Sequence, residues 1–162
     1  MKTLLKNGKV ISPIKKVNEI LDIYIEDGII REIGKNLIKE NTVVYDLSGK
    51  IIAPGFIDMH VHLREPGYEY KETIETGSLA ARRGGFTAIC CMPNTNPVID
   101  NEDTIRFIQH KSANLLNDVF VIAAVTKSNE GKELAPLLEL NNAGAIAFSD
   151  DAMPISSAEI QR

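Results

Sequence analysis

The chain has 162 residues, of which 44% are hydrophobic and 25% are charged, a composition typical of a folded protein with a buried core. Its 18 Lys and Arg against 22 Asp and Glu give a formal net charge of -4, which argues against nucleic acid as a partner because phosphate binders need a basic face. No apolar run approaches the roughly 20 residues of a membrane span, and the adjacent Cys90 and Cys91 cannot form an ordinary structural disulfide, so a cytoplasmic protein is expected.

Residues 1–53 are expected to form a small antiparallel β domain. Asn7-Gly8 and Asp27-Gly28 each lie between short apolar runs. Both dipeptides readily supply the positive φ angles of two-residue hairpin turns. Ala53-Pro54-Gly55 then interrupts the pattern. We place a domain boundary at this point.

Residues 54–162 alternate between predicted strands and helices. The strands are expected at 56–61, 87–91, 119–125 and 145–148, and the helices at 70–83, from a cap at Asp100 to about 113, and at 134–142. Continuous apolar strands that alternate with helices indicate a parallel sheet covered on both faces. The pattern allows a doubly wound sheet or a (β/α)₈ barrel.

His60-Val61-His62 ends the first of these strands. Residues i and i+2 of a strand point to the same side, so two imidazoles at this spacing can share one metal ion. The alternative is two polar residues at a strand end with no ligand role. His60 and His62 are two of the three histidines in the chain, which favours the ligand pair. The third, His110, falls late in an exposed helical pattern and is expected at the surface.

Asp150-Asp151 follows the fourth strand. Adjacent acids at such a place commonly cap a helix or form a solvated turn. In a barrel, however, a carboxylate there could complete a metal site begun on the first strand. Because neighbouring residues point in different directions, we expect at most one of the two to face the metal. The other could cap the chain that follows.

Arg64 and Asn94 lie just beyond the first two strands. A guanidinium offers a planar fork for a carboxylate, and an amide adds one directed hydrogen bond. The alternatives are a salt bridge from Arg64 to Glu65 or Glu69, and a purely turn-forming role for Asn94. A metal site beside a carboxylate anchor indicates metal-assisted hydrolysis. The two cysteines are interpreted as packing residues on opposite sides of a strand.

Three segments of the chain resemble the dihydroorotase family of cyclic amidohydrolases. They are Pro-Gly-Phe-Ile-Asp-Met-His-Val-His-Leu-Arg-Glu-Pro-Gly at 54–67, Gly-Gly-Phe-Thr with Cys-Met-Pro-Asn-Thr-Asn-Pro within 84–97, and Ala-Phe-Ser-Asp-Asp at 147–151. The segments occur in the family's order and spacing, and the resemblance covers the whole chain. It implies that the β domain is followed in the sequence by a metal-dependent hydrolase barrel of the (β/α)₈ type.

The resemblance also implies a site and a reaction. His60, His62 and Asp151 would bind one or two Zn²⁺ ions, and Arg64 and Asn94 would hold the carboxylate of the substrate. The reaction would be the reversible hydrolysis of dihydroorotate to N-carbamoyl-aspartate in pyrimidine biosynthesis. The implied partner is this small molecule, with neither nucleic acid nor membrane, and a homo-oligomer is compatible with the family.

Other functions remain open at the level of sequence. Allantoinases, hydantoinases and dihydropyrimidinases are related, but Arg64 together with Asn94 suits a substrate with a free carboxylate, which favours dihydroorotase. A catalytically silent relative could serve as a structural partner of aspartate transcarbamoylase, although the intact pair of His60 and His62 favours an enzyme. The occurrence of all three segments in the family's order argues against an unrelated metal-binding module.

Two features of the chain depart from the expected pattern. The family commonly continues Asp-Asp-Gly, whereas Ala152 stands here. If that position needs a positive φ, alanine would be strained and could shift Asp151. In addition, a (β/α)₈ barrel takes about 250 residues. We therefore expect 54–162 to be the first half of a truncated barrel, with the general-base aspartate in the missing part and no catalytic acid or base within this chain.

Overall fold

The computed structural model describes all 162 residues of the chain and divides them into two compact units, Met1–Pro54 and Gly55–Arg162. None of the helices has both the length and the apolar character needed to cross a membrane.

The first unit is a five-stranded sheet. Its strands are β1 (Lys2–Ser12), β2 (Val17–Glu26), β3 (Ile29–Gly34), β4 (Val43–Asp46) and β5 (Ile51–Ile52). β1, β2 and β3 pair antiparallel in the order β3-β2-β1, whereas β4 and β5 both pair parallel to β1. The expectation of an antiparallel unit is therefore wrong for these last two strands. Residues 35–42 lead from β3 to β4, and β5 follows β4 along the same edge of β1 after residues 47–50.

The two predicted hairpin dipeptides behave differently. Asp27-Gly28 connects β2 to β3, as predicted. Asn7-Gly8 lies inside β1, where the pairing with β2 shifts register, so the predicted turn is wrong. The positive φ of Asn7 serves a β-bulge instead, and its N–H donates to the buried carboxylate of Asp22 over 2.8 Å. The Asp22 carboxylate also accepts a hydrogen bond from the Leu37 N–H over 2.9 Å.

The second unit is a parallel sheet with helices between its strands. Its elements are β6 (Phe56–Val61), α1 (Ile74–Arg83), β7 (Phe86–Cys91), α2 (Glu102–Ser112), β8 (Asp118–Ala123), a short 3₁₀ turn (Lys127–Asn129), α3 (Leu137–Ala143) and β9 (Ala145–Phe148). The strands pair in chain order, β6-β7-β8-β9, and every pairing is parallel. Such consecutive βα units build a (β/α)₈ barrel, whereas a doubly wound sheet reverses its strand order.

Side-chain caps explain why the first two helices begin where they do. α1 starts after Thr73, whose hydroxyl accepts from the Thr76 N–H in a capping box, so the predicted start at residue 70 is too early. α2 is capped by Asn101, whose side chain accepts from the Thr104 N–H over 3.0 Å. Asp100, the predicted cap, does not cap α2. Its carboxylate accepts from the Ser128 N–H in the loop after β8 instead.

The hydrophobic core of this unit lies between the sheet and the helices. It includes Ile74 of α1, Ile89 of β7, Ile105 of α2, Val121 of β8 and Leu140 of α3. Cys91 belongs to the same core, whereas Cys90 packs with Met92 and Ile122 in a separate cluster. The predicted packing role of the cysteines is thus confirmed. Helices anchored in this way hold the carboxyl ends of the four strands along one edge of the sheet.

Candidate metal centre

Polar side chains follow each of the four parallel strands at its carboxyl end. They are His60 and His62 on or just after β6, Asn94 after β7, Thr126 after β8, and Asp150 and Asp151 after β9. Because the strands are parallel and adjacent, these positions meet at one edge of the sheet.

The structure brings His60, His62 and Asp151 together. The Nε2 atom of His60 lies 3.0 Å from Oδ1 of Asp151, and Nε2 of His62 lies 4.0 Å from Oδ2. The two imidazole rings are 5.2 Å apart between centroids, at an interplanar angle of 73°. One candidate donor atom from each residue lies within 4.8 Å of the others. The Asp151 carboxylate thus faces one histidine with each oxygen.

This arrangement fits a divalent cation. Neighbouring donors around a tetrahedral zinc ion are about 3.3 Å apart, a value bracketed by the two histidine–carboxylate distances of 3.0 and 4.0 Å. Two imidazoles and a carboxylate also form the three-residue ligand type that leaves a fourth position open for catalysis. The Asp151 side chain is 12% exposed and that of His60 is 58% exposed, so the site opens on the His60 side.

Asn94 connects two of the three candidate ligands. Its Oδ1 lies 2.9 Å from Nδ1 of His62, and its Nδ2 donates to Oδ2 of Asp151 over 2.7 Å. An acceptor at Nδ1 holds the proton there and leaves the Nε2 lone pair facing the carboxylate. The alternative of a purely turn-forming residue is therefore wrong. Sequence reasoning missed this orienting contact, because Asp151 is far away in the sequence.

Arg64 occupies the loop after β6 in a left-handed conformation, with φ 64°. The alternative of a salt bridge to a neighbouring glutamate is wrong. Glu65 is buried and pairs with Lys111 at 3.1 Å, and Glu69 accepts from the Gly67 N–H. No ion pair or side-chain hydrogen bond in the chain engages the Arg64 guanidinium, which leaves it able to bind an anion. Its role as a substrate ligand remains a prediction.

Asp150 points away from the histidines. Its buried carboxylate accepts from the backbone N–H groups of Val125 and Thr126, so it binds the segment just after β8. The prediction that only one of the two acids faces the histidines agrees with this geometry. The expectation that the other caps the following chain is wrong, because its partners lie on the preceding βα unit.

The positive φ near the end of β9 falls on Asp151, at 55°, and not on Ala152. Aspartate tolerates this region better than most residues because its short polar side chain bonds locally. The expectation of strain at Ala152 is therefore wrong, and the alanine does not displace the carboxylate from the two histidines.

The loops that follow β6 and β7 are held against each other. The Asn96 N–H donates to the Pro66 carbonyl over 3.0 Å. Gly67 has φ 96°, and a Cβ there would overlap the Asn96 carbonyl oxygen. Only glycine allows this approach. The loop that carries Arg64 and the loop that carries Asn94 therefore form one rigid pair.

A parallel βα sheet of this order, with two histidines at the end of its first strand and an aspartate just after its fourth that faces them, is characteristic of barrels of the metal-dependent hydrolase class. Residues 49–162 match the dihydro-orotase-like family, and the chain belongs to that family.

Curated relatives match along the chain's length. The dihydroorotases of Solibacter usitatus and Pelotomaculum thermopropionicum are each 48% identical over 100% of this chain, which covers 38% of either relative. The dihydroorotase of Pelobacter propionicus is 47% identical, with 100% of this chain and 39% of the relative covered. The chain thus spans less than half the length of these relatives.

Solved structures confirm the predicted fold class. An L-hydantoinase (dihydropyrimidinase) from Arthrobacter aurescens matches 90% of this chain and 32% of its own, with a TM-score of 0.76 and 24% identity. A D-hydantoinase (dihydropyrimidinase) from a Thermus species matches 81% and 29%, with a TM-score of 0.62 and 36% identity. A dihydroorotase matches 91% and 41%, with a TM-score of 0.63 and 17% identity. The chain thus has the fold of part of an amidohydrolase barrel.

Proposed function

We propose that the protein to which these residues belong is a zinc-dependent dihydroorotase, which interconverts dihydroorotate and N-carbamoyl-aspartate in pyrimidine biosynthesis. The observation that carries the proposal is the Asp151 carboxylate between His60 and His62, in a chain 45–48% identical to curated dihydroorotases. Zinc bound by these three side chains would supply Lewis acidity at the amide to be opened. Two buried free cysteines are compatible with a reducing cytoplasm.

The chain's own residues would bind and orient the substrate. The guanidinium of Arg64 provides two parallel donors for the substrate carboxylate, and the Asn94 amide provides one more beside the metal ligands. Hydantoins and dihydropyrimidines without substituents lack that carboxylate. A guanidinium without an ion-pair partner, in the loop that directly follows His62, therefore supports dihydroorotate as substrate. No side chain among these 162 residues is proposed as the general base.

The proposal is tested by the metal dependence and substrate preference of the purified enzyme. Dihydroorotate hydrolysis is expected to disappear after treatment with a chelator and to return with Zn²⁺. Hydantoin and allantoin are expected to be poor substrates. His62→Ala should abolish turnover, whereas His110→Ala, on the exposed side of α2, should not. Undiminished hydrolysis by the metal-free enzyme, or a preference for hydantoin or allantoin, would refute the proposal.

A further inference from the structure

Asp150 is the most thoroughly hydrogen-bonded carboxylate of the second unit. It is 4% exposed. Its Oδ1 accepts from the Val125 N–H over 2.8 Å and from the Thr126 N–H over 3.0 Å, and its Oδ2 accepts from the Thr126 hydroxyl. These contacts tie the end of β9 to the segment that leaves β8.

Thr126 extends the same network into the loop that follows. Its side chain is fully buried, at 0% exposure. While its hydroxyl donates to Asp150, its oxygen accepts from the Gly131 N–H over 2.9 Å. The hydroxyl thus uses both its donor and its acceptor capacity inside the protein, and one carboxylate holds three segments of backbone in a fixed relation.

The candidate metal ligand is the next residue in the chain. Asp151 turns away from the strand with φ 55°, and its N–H donates to the Ser149 hydroxyl over 3.0 Å. The direction in which its side chain leaves the backbone therefore depends on where residue 150 is held. A backbone bond from the Ser149 N–H to the Ala123 carbonyl, over 2.9 Å, also ties this segment to β8, and the side chain of Asp150 adds the only side-chain contacts with the segment just after β8.

We infer that Asp150 is a positioning residue, which holds the end of β9 so that Asp151 presents its carboxylate to His60 and His62. The inference rests on the proposed function, because it takes Asp151 as a metal ligand. Asp150 itself contacts neither histidine and acts only through the backbone that it anchors.

A carboxylate suits this task better than an amide. Its three donors need two acceptor oxygens, and asparagine has one. Asp150→Asn keeps an acceptor for the two backbone N–H groups but places an NH₂ group against the Thr126 hydroxyl. Thr126→Val removes the hydroxyl alone and leaves Asp150 intact. Thr126→Ser restores the hydroxyl and is the conservative rescue.

The test measures the zinc affinity of the protein to which these residues belong, by competition for Zn²⁺ with a chromophoric chelator. Asp150→Asn and Thr126→Val are each expected to weaken zinc binding about tenfold or more, as loss of an outer partner of a metal ligand does. Thr126→Ser should bind zinc like the wild type. Asp22→Asn is the matched control, because Asp22 is a carboxylate 3% exposed that also accepts two backbone N–H groups, but in the first unit. It should lower thermal stability and leave zinc affinity unchanged.

Asp151→Ala separates failure of the inference from failure of the proposed function. If Asp151→Ala weakens zinc binding while Asp150→Asn and Thr126→Val do not, the positioning role is refuted and the metal site stands. If the wild type does not bind zinc, or Asp151→Ala binds it equally well, the proposed site fails and the inference falls with it. Should Asp150→Asn not fold, the comparison of Thr126→Val with Thr126→Ser decides.

Discussion

Asn94 donates its side-chain amide to the carboxylate of Asp151 over 2.7 Å. The same amide group meets His62 through its oxygen. One residue of the loop after β7 thus links a ligand candidate on the first barrel strand to one on the fourth. If Asn94 also binds substrate, as the resemblance implies, then substrate recognition and ligand orientation depend on the same side chain.

Asn94→Ala is expected to weaken zinc affinity of the chain by about 10- to 100-fold. The variant removes the acceptor that orients the His62 ring and the donor that holds Asp151, and such outer contacts carry costs of this size. The measurement is a competition titration with a chelator. Asn96→Ala is the control, since Asn96 is exposed in the same loop. Equal zinc affinities for the two variants would contradict the orienting role.

Arg64→Ala is expected to weaken dihydroorotate binding about 10- to 100-fold and to leave zinc affinity unchanged. Hydrogen bonds to a charged group contribute about 1.5–3 kcal/mol, which corresponds to this range. Calorimetric titration of the zinc-loaded enzyme gives the substrate affinity. Arg64→Lys should restore little, because lysine lacks the planar fork. Arg82→Ala, exposed on α1, is the control. A parallel loss of zinc affinity would indicate a structural role.

Ala152→Gly is expected to destabilise the chain by about 0.4–1 kcal/mol. Ala152 has an ordinary negative φ, so glycine relieves no strain and only increases the entropy of the unfolded state. Denaturant-induced unfolding measures the change. A higher free energy of unfolding for the glycine variant would mean that alanine is strained at this position after all.

Cys91 is expected to resist alkylation in the folded protein. Burial raises the pKa of its thiol from 9.0 to about 12, so the nucleophilic thiolate is scarce at about pH 8. Because the folded state holds the proton more tightly, this thiol adds stability below about pH 9, and the contribution is lost as the pH rises toward 12. Iodoacetamide labelling followed by mass spectrometry should modify Cys91 only in denaturant. Cys91→Ala should unfold with a weaker dependence on pH over the same range, and rapid labelling of native Cys91 would contradict the prediction.

Local patterns in the sequence predicted the positions of the four barrel strands well, but they left open the order of the strands in the sheet. The fourth strand, 145–148, lies where the continuous apolar run places it. Helix starts were less predictable. Tyr70 belongs to the same polar run as the actual cap, Thr73, and only the reciprocal bonds with Thr76 distinguish the true start.

Contacts between distant segments could not be predicted. Asn7-Gly8 has the composition of a turn. Because β1 pairs with β2 on both sides of this dipeptide, it forms a β-bulge beside Asp22 within the strand. Likewise, nothing near Asp150 in the sequence indicates that its partners are Val125 and Thr126. The sequence identified His60, His62 and Asp151, which converge on the candidate metal centre, whereas the contacts that orient them become apparent only in three dimensions.

The contact between Gly67 and Asn96 constrains how this site could be altered. Since the two loops touch through backbone, lengthening one would push the other out of place and disturb both a candidate anion-binding residue and a candidate ligand-orienting residue. A designer who wishes to graft a new specificity onto this barrel would have to transplant the loops as a matched set. Natural divergence of substrate range should likewise favour changes in other loops of the barrel.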